Sequence, residues 1–277
     1  MKAREKAFAF GLILCALLLA YSYAYLDAIL AVLSETVLGA VGVSASYLED
    51  NSNLGYTCSA AILSLFYFWL WKRIKRGYPE KNATLAFRPF GGAFRMLLIG
   101  LGAGGVSLLW LNFAEAVQSS IPALQSSYDT FNSEMGAFEQ GDYIWMLLTV
   151  SVIGPLVEEL LFRGLVFHLF ERSFKSERAA IILSALLFGI WHEIFVQSVY
   201  TFMIGLILGY LYAKTRKIIW PFLVHLVNNF SGTLPPGFDG EFANLLVNLA
   251  SLICIPVLFI LLWRMEKNTK QIEKTLP

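Results

Sequence analysis

Three short stretches of this sequence place side chains capable of acid–base chemistry within apolar surroundings. They are EELLFR at 158–163, FGIWH at 188–192 and HLVNN at 225–229. A carboxylate can take a proton from water and return it to a leaving amine. A histidine can hold that water, and a histidine paired with an amide can donate hydrogen bonds to an oxyanion. Together these groups fit hydrolysis of an amide bond.

Helical spacing gives the charged residues different roles. Glu159 and Arg163 are four residues apart, so on a helix they are neighbours and can form an ion pair. Glu158 is rotated by about 100° from Glu159 and is free to face elsewhere. The other two stretches repeat this spacing, which pairs Phe188 with His192 and His225 with Asn229 at the ends of their five-residue runs.

The elements that must position these groups are membrane helices. Of the 277 residues, 57% are hydrophobic and only 15% are charged, and the mean hydropathy is +0.62. Such a profile is typical of an integral membrane protein. A helical span needs about 20 apolar residues, and eight segments qualify or come close: 7–33, 56–71, 95–117, 143–170, 179–197, 198–213, 218–232 and 244–263. We therefore expect an all-α, multi-pass transmembrane bundle of about eight spans.

Basic residues predict the orientation of this bundle. All but one of the 21 lysines and arginines fall in alternate loops and in the two terminal segments, whereas the loops near 34–55, 118–142 and 233–243 have none. Because cytoplasmic loops are rich in Lys and Arg, both termini are predicted to be cytoplasmic. The first apolar segment continues to Leu33, so we expect a retained span rather than a signal peptide. The exceptional basic residue is Arg163, within the fourth segment.

Ionisable residues at bilayer depth cost about 2.5–3.5 kcal/mol each on insertion scales, and they usually face a protein interior or a cavity. Counted from the nearest cytoplasmic basic residues, Glu158, His192 and His225 lie at similar depths. Three helices can thus arrange these groups around one cavity. Asp27 and Glu115 are outlying acidic residues in other spans.

Several familiar chemistries fit poorly. The run HEIFV at 192–196 lacks the second histidine of the zinc-protease pattern, and the residues around Ser231 match a serine protease only weakly. A single span aspartate, Asp27, excludes an aspartyl protease. The glycine-rich run at 100–105 indicates close helix packing through Gly100 and Gly104, as do Gly205 and Gly209, and implies no nucleotide site. The three cysteines suggest neither a disulfide framework nor a metal cluster.

The three stretches resemble the motifs E-E-x-x-x-R, F-x-x-x-H and H-x-x-x-N of the CPBP family, which includes CAAX prenyl endopeptidases and the bacterial Abi and bacteriocin self-immunity proteins. The resemblance implies that Glu158 activates water with His192 as its partner and that His225 and Asn229 form an oxyanion site. It also implies that Glu159 and Arg163 position the base. Such proteins have been called both metalloproteases and glutamic-type proteases.

Whether the catalytic site holds a metal ion therefore stays open. Glu158, His192 and His225 could hold zinc with water in the fourth position, but we favour a site without metal or other cofactor.

On this basis we expect an intramembrane endopeptidase that cleaves a peptide or protein substrate in or at the lipid bilayer, without nucleic-acid or nucleotide partners. We divide the chain into N-terminal helices at 1–142, a catalytic core at 143–232, and a last helix with a basic cytoplasmic tail at 233–277. Two alternatives remain. One is a non-catalytic membrane binding or immunity protein, and the other is a proton-coupled transporter, which the lack of inverted repeats disfavours.

Overall fold

The computed structural model describes residues 3–77 and 81–275, and within these ranges it contains helices and no strand. The outermost residues of the predicted terminal segments lie outside this description. The α-helices are α1 Ala3–Ala40, α2 Ala45–Asp50, α3 Ser52–Gly77, α4 Pro89–Val117, α5 Pro122–Phe138, α6 Tyr143–Met146, α7 Gly154–Glu159, α8 Phe167–Phe174, α9 Glu177–Trp191, α10 Phe195–Thr215, α11 Ile219–Ser231 and α12 Glu241–Thr275. The predicted all-α fold is confirmed.

Each of the eight predicted segments contains a helix, but in the fifth, 179–197, the helix ends at Trp191 and residues 192–194 form a turn before α10. Among the described residues, six helices are long and apolar enough to cross a membrane: Arg4–Ala40, Ser52–Gly77, Pro89–Ser120, Tyr143–Phe174, Phe195–Thr215 and Glu241–Ile272. The fifth and seventh predicted segments form α9 and α11, which have only 15 and 13 residues. Since a full crossing takes about 20 residues, the count of eight spans and the cytoplasmic termini stay predictions.

The helix Tyr143–Phe174 occupies the centre of the bundle and joins α6, α7 and α8 through two π-helical segments, Leu147–Ile153 and Leu160–Val166. Helices α1 and α3 pack on one side of it, while α10 and α11 pack on the other. One hydrophobic core lies among α1, α3, α8 and α9, and a second lies among α4, α10, α11 and α12. The charged residues of 158–163 therefore face protein on both sides.

A proline sets the local geometry of this central helix. In a π-helix each N–H bonds to the carbonyl five residues earlier, and the Gly154 N–H does so with Thr149 O. The next carbonyl, Val150 O, would need the N–H of Pro155, which proline does not have. A backbone carbonyl in the middle of the bundle must therefore find its hydrogen bond elsewhere.

Glycines bring helices into close contact, as predicted for Gly100, Gly104, Gly205 and Gly209. A Cβ at Gly100 would lie 2.6 Å from Val227 Cβ of α11, and one at Gly205 would lie 3.0 Å from Ala185 Cα of α9. Both approaches are closer than a side chain would tolerate without a shift. They fix α11 against α4 and α9 against α10, the pairs that carry the histidines.

Two outer loops contain helices that the sequence analysis did not predict, α2 and α5. Helix α5 packs Leu124 and Phe131 against Ile194 and Val196, at the turn between α9 and α10. The Ser127 hydroxyl also accepts a hydrogen bond of 2.9 Å from the Val196 N–H. This helix therefore holds the turn that follows His192.

An ion-pair cluster joins helix ends at the other side of the bundle. The Arg216 guanidinium donates to both oxygens of Glu171 at 2.8 Å, and both side chains are 6% exposed. Glu177 accepts from Lys214 at 2.7 Å and from Arg216 at 3.1 Å. Lys81 adds a longer contact of 3.5 Å to Glu171. The cluster ties the ends of α8, α9 and α10 together.

Candidate active site

The predicted Glu159–Arg163 ion pair is present and fully buried. Arg163 Nη1 donates to Glu159 Oε1 at 2.8 Å, and both side chains are 0% exposed. Arg163 Nη2 donates to the carbonyl of Gly205 at 3.2 Å, and its guanidinium lies 4.7 Å from the Phe188 ring centroid. Arg163 therefore connects the central helix to α9 and α10, which explains a basic residue at this depth.

His225 lies between the two glutamates. Its Nδ1 is 3.0 Å from Glu159 Oε1, and its Nε2 is 3.7 Å from Glu158 Oε2. An ionised carboxylate only accepts hydrogen bonds, so Nδ1 carries the proton in that contact. Glu158 thus faces the same imidazole as Glu159, instead of pointing away from it as helical spacing suggested.

The charges of Glu158, Glu159, Arg163 and His225 show how many protons would make this buried cluster neutral. Glu158, Glu159 and Arg163 together carry a net charge of minus one when all are ionised. One further proton, on either Glu158 or His225 Nε2, makes the group neutral. A buried group is most stable when its charges are balanced, and either position of this additional proton meets that condition.

His192 lies at the end of α9, in the turn before α10. Its Nδ1 is 2.8 Å from the Phe188 carbonyl oxygen, and because a carbonyl only accepts, Nδ1 carries the proton. In a neutral imidazole Nε2 is then an acceptor, available to water. Within the described residues no hydrogen bond joins His192 to Glu158, so a predicted partnership between them would act through a bound molecule.

Phe188 separates the two histidines. Its ring centroid lies 4.7 Å from that of His192 and 5.8 Å from that of His225, with both pairs edge to face. The side chain is 1% exposed. Phe188 therefore fixes the orientation of both imidazoles, in keeping with the supporting role predicted for it.

Asn229 makes a contact that the sequence analysis missed. Its Nδ2 donates to Val150 O at 2.8 Å, and its Oδ1 accepts from Asn228 Nδ2 at 2.8 Å. Val150 O is the carbonyl that Pro155 leaves without a helical donor. One amide hydrogen of Asn229 is therefore used to attach α11 to the central helix, which leaves one for an oxyanion. In the sequence, this contact could have been inferred from Pro155, which has no N–H to donate to Val150 O.

This contact gives a testable prediction. Replacing Asn229 by alanine should leave Val150 O unpaired and lower the free energy of unfolding by about 1–3 kcal/mol. The double variant Pro155→Ala/Asn229→Ala restores a backbone N–H for Val150 O and should recover much of that loss. Thermal unfolding in detergent measures both. If the double variant is no more stable than Asn229→Ala, the proline is not the reason for the contact.

The residues proposed as metal ligands suit zinc by type, since two imidazoles and a carboxylate are common zinc donors. The Nδ1 contacts described above do not involve the Nε2 atom of either histidine. Their placement fits less well, because no three His, Cys, Asp or Glu side chains in the described part of the chain form a metal-binding group. We therefore derive no chemical step through a metal.

Comparison with known proteins finds a family model that matches the part of the chain that carries this site. Residues 140–231 match the family model described as type II CAAX prenyl endopeptidase Rce1-like. That match includes all the motif residues and agrees with the three CPBP motifs. Residues 140–231 form a CPBP-family segment.

Two curated relatives align with a third of the chain. The putative membrane peptidase YdiL of Bacillus subtilis (strain 168) is 32% identical over 85 residues, which is 30% of this chain and 34% of YdiL. The membrane-embedded CAAX protease MroQ of Staphylococcus aureus (strain USA300) is 32% identical over 85 residues, 29% of this chain and 34% of MroQ. The chain thus spans about a third of the length of these relatives. No solved structure matches it significantly.

With its CPBP segment and long apolar helices, the chain is an integral, multi-pass membrane protein.

Proposed function

We propose that this protein is an intramembrane endopeptidase that hydrolyses a peptide bond of a membrane-associated substrate with water activated by Glu158. The observation that carries the proposal is the placement of His225 between Glu158 and Glu159, with His192 nearby and Arg163 balancing the charge. The names of both relatives, a membrane peptidase and a CAAX protease, support the same class of reaction.

In the proposed reaction the additional proton stays on His225 Nε2, and the proton that moves comes from water. Glu158 takes a proton from water as the water oxygen attacks the scissile carbonyl carbon, and His192 Nε2 accepts a hydrogen bond that orients this water. His225 Nε2–H and the second amide hydrogen of Asn229 donate to the oxyanion. The C–N bond then breaks as Glu158 gives its proton to the leaving nitrogen. The products are a carboxylic acid and an amine.

Glu159 and Arg163 have a positioning role in this scheme. Glu159 Oε1 accepts from both Arg163 and His225, which fixes the proton on His225 Nδ1 and the direction of Nε2. Nothing in the described geometry selects a prenylated cysteine, so the substrate class proposed is a peptide at the membrane.

The decisive experiment compares cells that express the wild type with cells that express Glu158→Gln. New protein termini and released peptides are identified by mass spectrometry of the membrane fraction. We expect a set of termini that is present with wild type and absent with the variant. Glu266→Gln, a carboxylate change on α12 next to Lys270, is the control and should behave as wild type. Identical termini with Glu158→Gln would instead support a binding or immunity protein.

Metal dependence is tested on the same substrate. The purified protein is treated with a strong chelator, dialysed and assayed with the peptide found above. For a site that works without metal, we expect the cleavage rate to stay within twofold of the untreated rate. A loss that added zinc reverses would overturn the metal-free proposal and assign Glu158, His192 and His225 as ligands.

A further inference from the structure

Several buried polar side-chain atoms have no hydrogen-bond partner among the described residues, and three of them lie on helices beside the site. They are Asp27 Oδ1 on α1, Tyr67 OH on α3 and Trp191 Nε1 on α9. Buried polar atoms are nearly always hydrogen-bonded, to protein or to ordered water. Three such atoms on three different helices therefore require a common explanation.

The three side chains belong to one cluster. The ring of Tyr23 lies 5.0 Å from that of Trp191 and 6.4 Å from that of Tyr67, measured between centroids. Asp27 follows Tyr23 by one helical turn, and its charge is close enough to act on both tyrosines. The Ser59 hydroxyl donates to the main-chain carbonyl of Asp27 at 3.0 Å, which fixes α1 against α3 at this level.

This cluster adjoins the candidate active site. Trp191 precedes His192, and their ring centroids are 5.0 Å apart. Asp27 and Tyr23 both lie within electrostatic range of Glu158. The unpaired atoms are thus on α1, α3 and α9, whereas His225 is on α11.

The chemistry of the three atoms fits water better than any single protein group. A carboxylate oxygen accepts, an indole N–H donates, and a phenol does both. A buried water makes two to four hydrogen bonds and both donates and accepts. We propose that Asp27, Tyr67 and Trp191 bind ordered water in a chamber beside Glu158, and that this chamber supplies water to the active site. The supply role rests on the proposed protease function, while the binding of water does not.

The presence of water can be tested without any substrate. Hydroxyl radicals generated by X-ray radiolysis label side chains next to bound water. The probe is the full chain in lipid nanodiscs, followed by mass spectrometry. Tyr67 and Tyr212 form a matched pair, since both are 0% exposed and only Tyr67 belongs to the cluster. We expect Tyr67 to be labelled severalfold faster than Tyr212, and Asp27→Leu to remove the difference. Equal labelling of the two tyrosines in wild type would overturn the chamber.

The supply role is tested by kinetics with the identified peptide. Asp27→Leu should lower kcat severalfold with little change in KM, because water and not peptide binding is affected. Asp27→Asn keeps two hydrogen-bonding atoms and should restore most of kcat. An unchanged kcat in Asp27→Leu would overturn the supply role, and a rise in KM alone would assign the cluster to substrate binding instead. A cleavage rate in Glu158→Gln within tenfold of wild type would defeat the proposed role of Glu158 in proteolysis while leaving the labelling result intact.

Discussion

Purified Glu158→Gln is expected to cleave the identified peptide about 10²–10⁴-fold more slowly than wild type, the usual contribution of a general base. Glutamine keeps the size of glutamate, but it cannot take a proton from water. The loss should therefore fall on kcat, with KM little changed. Steady-state kinetics in detergent or nanodiscs measures both.

The same variant should be folded. The Glu158 side chain is 17% exposed, and it is 3.7 Å from His225 Nε2, so glutamine removes a charge without leaving a cavity. We expect an unfolding temperature equal to or above that of wild type. Glu266→Gln again serves as the control and should keep the wild-type kcat. A kcat for Glu158→Gln within tenfold of wild type would remove Glu158 from the role of base.

Replacing Arg163 by methionine is expected to cost about 3–5 kcal/mol of unfolding free energy, the typical effect of breaking a buried ion pair from one side. Methionine fills much of the arginine volume, so the loss reports charge more than packing. Glu159 would remain buried with only His225 as a partner, and the hydrogen bond to Gly205 O would be lost. Chemical or thermal unfolding in detergent measures the change.

Two controls separate burial from pairing. Lys270→Met breaks an ion pair with the same i,i+4 spacing, Glu266–Lys270, but its lysine is 64% exposed. Exposed pairs contribute about 0–1 kcal/mol, so this variant should be nearly as stable as wild type. The double variant Glu159→Gln/Arg163→Met leaves no uncompensated charge and should recover most of the stability. If the single and double variants are equally unstable, the volume of Arg163 matters and its charge does not.

Local rules predicted part of this structure correctly. The long apolar segments became helices, because burying backbone polar groups in apolar surroundings requires internal hydrogen bonds. The Glu159–Arg163 pair follows from a four-residue spacing that helical geometry fixes. The small residues at Gly100 and Gly205 do pack against neighbouring helices, since the absence of a side chain permits that approach.

Other features depend on contacts that no local pattern encodes. Helix geometry predicts that Glu158 is rotated by about 100° from Glu159, so that the two could face different neighbours. The position of α11 nevertheless brings one side chain, His225, close to both glutamates. Helix α5 was missed because its stability comes from packing Phe131 over the turn at Val196, and its own sequence is only weakly apolar.

In the ion-pair cluster around Glu171 and Arg216, basic residues that predict orientation also stabilise the folded bundle. Lys214 and Arg216 are among the basic residues from which the sequence predicts orientation, and as free cations they would hold their loop on the cytoplasmic side during insertion. In the folded protein the carboxylates of Glu171 and Glu177 neutralise them. The same basic residues from which the sequence predicts orientation thus hold the ends of α8, α9 and α10 together in the assembled bundle.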